Sequence, residues 1–280
     1  MKIFTTQLEI ADFVFAEKSL NKTIGFVPTM GALHRGHISL VEQAVSQTDT
    51  VVVSIFVNPR QFNDKADYHT YPRNQVADLQ LLESHSCHAV FCPDYNELFR
   101  SEDSISLNFR NLDKVLEGKF RPGHFQGMID VVYALFQSVK PHKAFFGMKD
   151  YQQLRIISLL ALEYFPNIDI IACDIVRESD GLAMSSRNMR LDTHSRSIAP
   201  NIYKTLKLAA DNYSDKTVAQ LLEFMWAQLK LFPQFTVEYV EVCNGNTLQS
   251  VSPHDIARGN MLLLAVWCGG VRLIDNIYLK

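Results

Sequence analysis

The chain has 280 residues, 47% of them hydrophobic, with 27 Lys+Arg against 30 Asp+Glu and a formal net charge of −3. That length suits one large domain or two, and the charge balance offers no basic surface for nucleic acid or an anionic membrane. No apolar run approaches the ~20 residues needed to span a bilayer, and the N-terminus lacks a basic region followed by an apolar one. The five cysteines, Cys87, Cys92, Cys173, Cys243 and Cys268, are odd in number and form no Cys-x-x-Cys. This predicts unpaired thiols in a reducing compartment and a cytoplasmic protein.

In chain order, Leu8, Ile10, Ala11, Phe13, Val14 and Leu20 predict a helix over 7–20. The apolar run 24–27 reads as a buried strand, and Ile38, Val41 and Val45 recur at helical spacing, predicting a helix over 37–46. Between them lies a strand-to-helix turn containing Gly31, His34, Gly36 and His37. A helix N-terminus presents backbone N–H groups and a positive dipole end, which suits an anion, and two imidazoles would add to its grip on phosphate. The same residues also fit an ordinary tight turn or a His-x-x-His metal pair, although no carboxylate or Cys lies beside them to complete a metal site.

The run 51–57 is apolar on both faces, as in a covered parallel sheet, and stops at Asn58-Pro59 because proline cannot donate to a ladder. A helix over 74–84 and a strand over 89–92 follow. This β-α-β-α-β alternation predicts a doubly wound α/β domain with ligands beyond the carboxyl ends of its strands. Further on come a helix over 127–139, a strand over 144–146, a helix over 151–164 and a strand over 168–172. Two helical patterns (197–211 and 216–231) and three apolar runs (237–243, 261–266 and 271–277) then predict a smaller α+β domain. The boundary falls near residue 176, giving domains 1–175 and 176–280. There is no internal repeat or low-complexity segment.

Four loops carry chemistry. Asn58 and Gln61 supply uncharged amides able to fix a polar substrate, or belong to an ordinary polar loop. Lys149, after the strand 144–146, suits a phosphate or pairs with adjacent Asp150 at little energetic effect; Gln153 lies one helical turn beyond it. Met184, Ser185, Ser186 and Arg187 offer two hydroxyls and a guanidinium suited to a triphosphate, or form a solvated loop. His124, in the loop 121–125, either meets substrate or caps a helix. Cys87 and His88, near Cys92, resemble metal ligands only superficially, since a fourth partner is missing.

Together these segments resemble the pantothenate synthetase (pantoate–β-alanine ligase) family over nearly the whole chain. The stretch 28–37 (PTMGALHRGH) resembles the family's version of the His-x-Gly-His signature of Rossmann-like nucleotidyl-transferring enzymes. The stretches 54–62 (SIFVNPRQF), 146–153 (FGMKDYQQ) and 181–188 (GLAMSSRN) resemble its substrate loop and two further nucleotide segments. The resemblance implies a Rossmann-like doubly wound domain, a C-terminal lid domain and a homodimer. It implies attack of pantoate on the α-phosphorus of ATP, a pantoyl adenylate, and transfer of the acyl group to β-alanine, releasing AMP and pyrophosphate. It places ATP against Met30, Gly31, Ala32, Leu33, His34, Arg35, Gly36, His37, Gly147, Met148, Lys149, Asp150, Val176, Met184, Ser185, Ser186 and Arg187. Pantoate falls to Gln61, Gln153 and Asn58, and β-alanine to Gln61. His34, His37, Lys149, Ser185, Ser186 and Arg187 would stabilise charge in the transition state, with Mg²⁺ bridging phosphate oxygens.

Two departures bear on the metal. Met148 stands where the family has glutamate. Ala77 falls in an acidic stretch that serves the ion, leaving Asp78 as its candidate ligand. The competing readings are a nucleotidyl transferase with another acceptor, disfavoured by the 58–62 loop and Gln153, and a non-catalytic nucleotide-binding module. AMP formation and a single-turnover assay separate these from a ligase.

Overall fold

The protein was analysed as a computed structural model, which describes residues 1–63, 65–99, 104–214, 216–252 and 259–279. The chain divides into two compact units. The first comprises 1–113, 117–148 and 153–174; the second comprises 114–116, 149–152 and 175–280.

The first unit carries a six-stranded parallel sheet. Its strands are β1 (Lys2–Phe4), β2 (Ile24–Thr29), β3 (Thr50–Ile55), β4 (Ala89–Phe91), β5 (Lys143–Gly147) and β6 (Asp169–Cys173), in the order β1-β4-β3-β2-β5-β6. Side chains alternate across the sheet. Val27, Val51, Val53, Val90 and Phe145 pack with Ile38, Val41 and Ala44 of helix Arg35–Gln47. On the alternate positions, Phe26 and Phe146 each meet Phe136 of helix His124–Val139 edge-on, with ring centroids 6.3 Å apart. These are the two covered faces of a doubly wound sheet, so the fold read from the sequence holds.

Succession runs outward from β2 through β3 to β4 on one side and through β5 to β6 on the other. The switch point therefore lies between β2 and β5, where α/β sheets collect ligands beyond their carboxyl ends. Residues 30–37, 58–62 and 148 all follow carboxyl ends of the three adjacent strands β3, β2 and β5.

Element boundaries differ from the sequence expectation in instructive places. The strand β1 has no counterpart in the sequence pattern: three residues carry no readable period, and pairing with β4 makes it a strand. The strand β2 continues through Pro28 because it still pairs β3 there, Pro28 opposite Ser54. The strand β3 ends at Ile55, two residues sooner than its apolar run, because its pairing with β4 stops at Ser54 and that with β2 at Ile55. The helix expected from 127 begins at His124. In the C-terminal part, the pattern 197–211 resolves into the helices Thr193–Ile198 and Asn201–Asp211, with Pro200 between them.

The second unit has an antiparallel sheet of β7 (Phe235–Asn244), β8 (Asn260–Cys268) and β9 (Val271–Tyr278). Val240, Val242, Leu262, Leu264, Val266 and Leu273 share a core with Ile202 and Leu206 of helix Asn201–Asp211 and with Leu221 and Met225 of helix Val218–Leu229. Among the described residues no helix is long and apolar enough to cross a membrane.

Two histidines extend the parallel ladder with their rings. His142 Nδ1 accepts the Ile24 N–H at 2.8 Å, and His88 Nδ1 accepts the Val51 N–H at 3.0 Å. Burial lowers the pKa of both, and Lys18 adds to the effect at His142. A base with a depressed folded pKa is protonated first in the unfolded chain. Its contribution is therefore complete above the unfolded value near 6.5 and is lost as pH falls below it. The double substitution His88→Asn and His142→Asn keeps a side-chain acceptor and removes the titration. The urea midpoint of the wild type should fall between pH 7 and pH 5 by more than that of the double variant; equal slopes would show that these rings do not couple to folding.

Candidate active site

The turn after β2 is built by side chains accepting backbone N–H groups. Thr29 Oγ1 accepts from Gly31 at 3.2 Å. Gly31 (φ +76°) and Ala32 (φ +49°) both lie in the left-handed region, where glycine is at ease and alanine is strained. The following N–H groups, of Ala32 and Leu33, meet the buried carboxylate of Asp78 at 2.9 and 2.7 Å. A Cβ on Gly31 would stand 3.0 Å from Asp78 Oδ2, a tight contact that adds to the conformational preference for glycine.

The histidines complete the turn. His34 is the N-cap of helix Arg35–Gln47, and its Nδ1 accepts the Gly36 N–H at 3.1 Å. The Nδ1 of His37 accepts the His34 N–H at 3.3 Å, and the two rings lie 4.1 Å apart at 31°. A ring whose Nδ1 accepts carries its proton on Nε2. Both imidazoles are thus set as Nε2–H donors by local backbone geometry. The N–H groups of 31–34 and 36 thus have side-chain acceptors and are not open amides. Arg35 is exposed and paired with Glu42 at 2.5 Å.

In the 58–62 loop, Asn58 caps the short 3-10 turn Pro59–Gln61 and is completely buried. Its Oδ1 accepts the Arg60 N–H at 3.1 Å, while its Nδ2 donates to Gly127 O at 2.8 Å and Gln61 Oε1 at 3.3 Å. Asn58 therefore orients Gln61 from within the loop. Gln61 is half-buried, with Nε2 2.6 Å from Met30 Sδ, and its carbonyl meets His124 Nδ1 at 2.7 Å. His124 thus holds the loop backbone. Gln153 is half-buried in the first turn of helix Tyr151–Tyr164, within the first unit. Gly147 and Met148 close β5 on the same unit.

The second unit holds the remaining expected groups. Segment 149–152 is fixed by Asn276 Nδ2 donating to Lys149 O at 2.9 Å and by the Tyr151 hydroxyl donating to Gly245 O at 2.8 Å. Lys149 Nζ lies 4.0 Å from Asp150 Oδ2, a long and partly solvated pair, and its charge also acts on the buried Asp275 carboxylate. A hairpin sets Val176 opposite Met184 through a 3.0 Å backbone hydrogen bond. Ser185 caps the turn Ser186–Arg190 by accepting the Arg187 N–H; Ser186 is buried and Arg187 half-buried. Arg177 anchors the hairpin base, forming two hydrogen bonds to Asp275 at 2.6 and 3.0 Å and stacking 3.6 Å over Tyr203. Asn276 and Arg177 carry no local signal in the sequence, because their partners are 127 and 98 residues away.

The donor set does not make a protein-held metal centre. Asp78 has each carboxylate oxygen on a backbone N–H, and the described residues contain no cluster of three His, Cys, Asp or Glu able to hold an ion. Cys87 donates to the carbonyl of Ala89 and His88 accepts from Val51, so both serve the sheet. Burial pushes the Cys87, Cys173 and Cys243 thiols up to about 12, which leaves them unreactive at neutral pH.

A family model described as pantoate-beta-alanine ligase matches residues 2–278. The pantothenate synthetase of Porphyromonas gingivalis strain W83 is 45% identical over 99% of both chains, and that of Bacteroides fragilis (strain ATCC 25285) is 43% identical over 100% of this chain and 99% of its own. The crystal structure of pantothenate synthetase from Thermus thermophilus superposes with a TM-score of 0.93 at 35% identity, covering all of both chains. A pantoate-beta-alanine ligase from Francisella tularensis, complexed with beta-gamma ATP and beta-alanine, gives 0.81 at 37% identity, covering 100% of this chain and 98% of that one.

Helix His124–Val139 approaches the Gln61 turn so closely that a Cβ on Gly127 would lie 2.2 Å from Arg60 O. Gly127→Ala should displace that turn and cost about 1–3 kcal/mol through overpacking. Urea unfolding and the backbone amide shift of Gln61 check this; an unmoved Gln61 would mean the helix, not the turn, gives way.

Proposed function

The chain belongs to the pantoate–β-alanine ligase family, and from that premise we propose that it joins its substrates through a pantoyl adenylate, using the residues described above. It is a ligase that condenses pantoate with β-alanine and consumes ATP. In the first step a pantoate carboxylate oxygen bonds to the α-phosphorus, and the bond to the bridging oxygen of pyrophosphate breaks with its electron pair. In the second, the β-alanine amine attacks the acyl carbon, AMP leaves with the acyl-oxygen electron pair, and the nitrogen gives up a proton.

The observation that carries this reading is the reciprocal capping of His34 and His37. A carboxylate needs no general base; it needs relief from phosphate repulsion and a preorganised set of donors. Two rings held with Nε2–H as donor supply that without reorganising. His37 donates to the departing pyrophosphate, and Lys149, Ser185, Ser186 and Arg187 of the second unit act on the phosphate oxygens. Met30 to His37, Gly147 to Asp150, Val176 and Met184 to Arg187 line the nucleotide; Gln61 and Gln153 hold pantoate, and Gln61 also meets β-alanine. Mg²⁺ accompanying ATP would supply further neutralisation of phosphate charge. The first unit is the nucleotide and pantoate domain and the second a smaller lid domain. The protein works as a cytoplasmic homodimer, which its unpaired cysteines and the family resemblance support.

Product analysis tests the order of events. With ATP and pantoate alone, a single turnover should release pyrophosphate and leave adenylate on the protein, and AMP should appear only when β-alanine is added. Strict dependence of pyrophosphate release on β-alanine would replace the two-step scheme with a concerted one.

Substitution tests the charge-stabilising groups. Lys149→Ala and His37→Ala should each slow adenylation by about 10²-fold or more, as for loss of one transition-state donor, with a much smaller fall in ATP affinity. A rapid-quench rate beside an ATP titration separates the two quantities. Losses confined to ATP binding would make these residues nucleotide anchors only.

A further inference from the structure

We propose that Asp78 is a positioning residue for the His34–His37 pair: its carboxylate is the resident anion of the turn 31–33 and sets the backbone on which both imidazoles are mounted. Three observations lead there. The consecutive left-handed residues Gly31 and Ala32 turn the N–H groups of Ala32 and Leu33 to one side, a concavity of the kind that binds anions. Both N–H groups are directed at Asp78, one to each oxygen, at 2.9 and 2.7 Å, and Asp78 is 4% exposed. The next N–H, of His34, is the one received by His37 Nδ1. A shift of the 32–33 backbone therefore passes directly into the hydrogen bond that fixes the His37 tautomer.

The helix end itself places the carboxylate. Asn74 caps helix Gln75–Glu83 by accepting the Ala77 N–H, and Asp78 N–H donates to Asn74 O. Asp78 thus stands in the first turn of a helix, where a negative charge is favoured. A buried carboxylate accepting two backbone N–H groups is strongly held. An ion drawing on the same oxygens would have to compete with both bonds, and losing them would leave two donors of a strained turn without acceptors.

The rate consequence rests on the adenylation chemistry proposed above; the spectroscopic consequences do not. In the wild-type protein, hydrogen exchange at the Ala32 and Leu33 amides should be slow and unchanged on titration with Mg²⁺ alone. In Asp78→Asn, imidazole ¹⁵N spectra should show His34 and His37 leaving the pure Nε2–H form. Adenylation should slow at least 10-fold, ATP affinity should stay within about threefold, and the Mg²⁺ concentration giving half-maximal rate should not move. Restoring the carboxylate with Asp78→Glu should recover part of the rate and of the tautomer signature. The proposal is overturned if Mg²⁺ speeds exchange at the two amides, or if excess Mg²⁺ restores the Asn variant while its imidazole spectra match the wild type. It is equally overturned if that variant is less stable but keeps both tautomers and rate. Should Asp78→Asn fail to fold, the exchange measurement on the wild type still decides between turn anchor and metal ligand.

Discussion

A sharp turn at the carboxyl end of a buried strand must find acceptors for its backbone N–H groups. Between Gly31 and Gly36 this protein finds them in side chains: Thr29 for Gly31, Asp78 for Ala32 and Leu33, His37 for His34, and His34 for Gly36. The geometry of the two imidazoles follows from that need. Each imidazole is held because the turn requires an acceptor, and the same bond places its proton on the opposite nitrogen. Structural satisfaction and chemical readiness are one set of hydrogen bonds.

The second unit solves a different problem, that of fixing exposed polar loops. The strand β9 does this at neighbouring positions. Asp275 receives Arg177 at the base of the 176–184 hairpin, Asn276 holds the Lys149 carbonyl, and Tyr278 meets the Tyr151 hydroxyl at 2.8 Å. Burial pushes the Asp275 carboxyl up and the Arg177 guanidinium draws it back, so the pair depends on both partners staying together. Breaking it would release the hairpin that sets Met184 beside Val176.

What the sequence revealed has a physical pattern. Long elements with a period of 2 or 3.6 were readable, as were turns whose residue types announce their conformation, such as Gly31 before His34. The family resemblance carried the four loops. Long-range roles were hidden. Asp78 reads as a candidate metal ligand by resemblance, and nothing local says that its oxygens meet N–H groups 45 and 46 residues earlier. The residue type of Asn58 does not announce its full burial, which only packing shows. Gly127 shows no sign of its packing in the sequence, whereas the Arg60 carbonyl beside it makes any side chain impossible without movement. Each miss is a case in which tertiary contact, not local propensity, selects the residue.

Pro28 lies where the pairing of β2 with its two neighbours becomes unequal. A proline inside a central parallel strand removes a ladder donor and argues against the assignment. Here β2 pairs β3 through Thr29 but pairs β5 only at Gly25 and Phe26. The missing N–H thus falls where β2 has already parted from β5. From Pro28 onward β2 is joined to the sheet on one side, and the chain enters the histidine turn directly from that separation. The residue least suited to a sheet interior stands where the sheet stops being continuous, at the topological switch point. The proline therefore falls beyond the last residue of β2 that pairs β5, at the strand end where α/β sheets collect ligands.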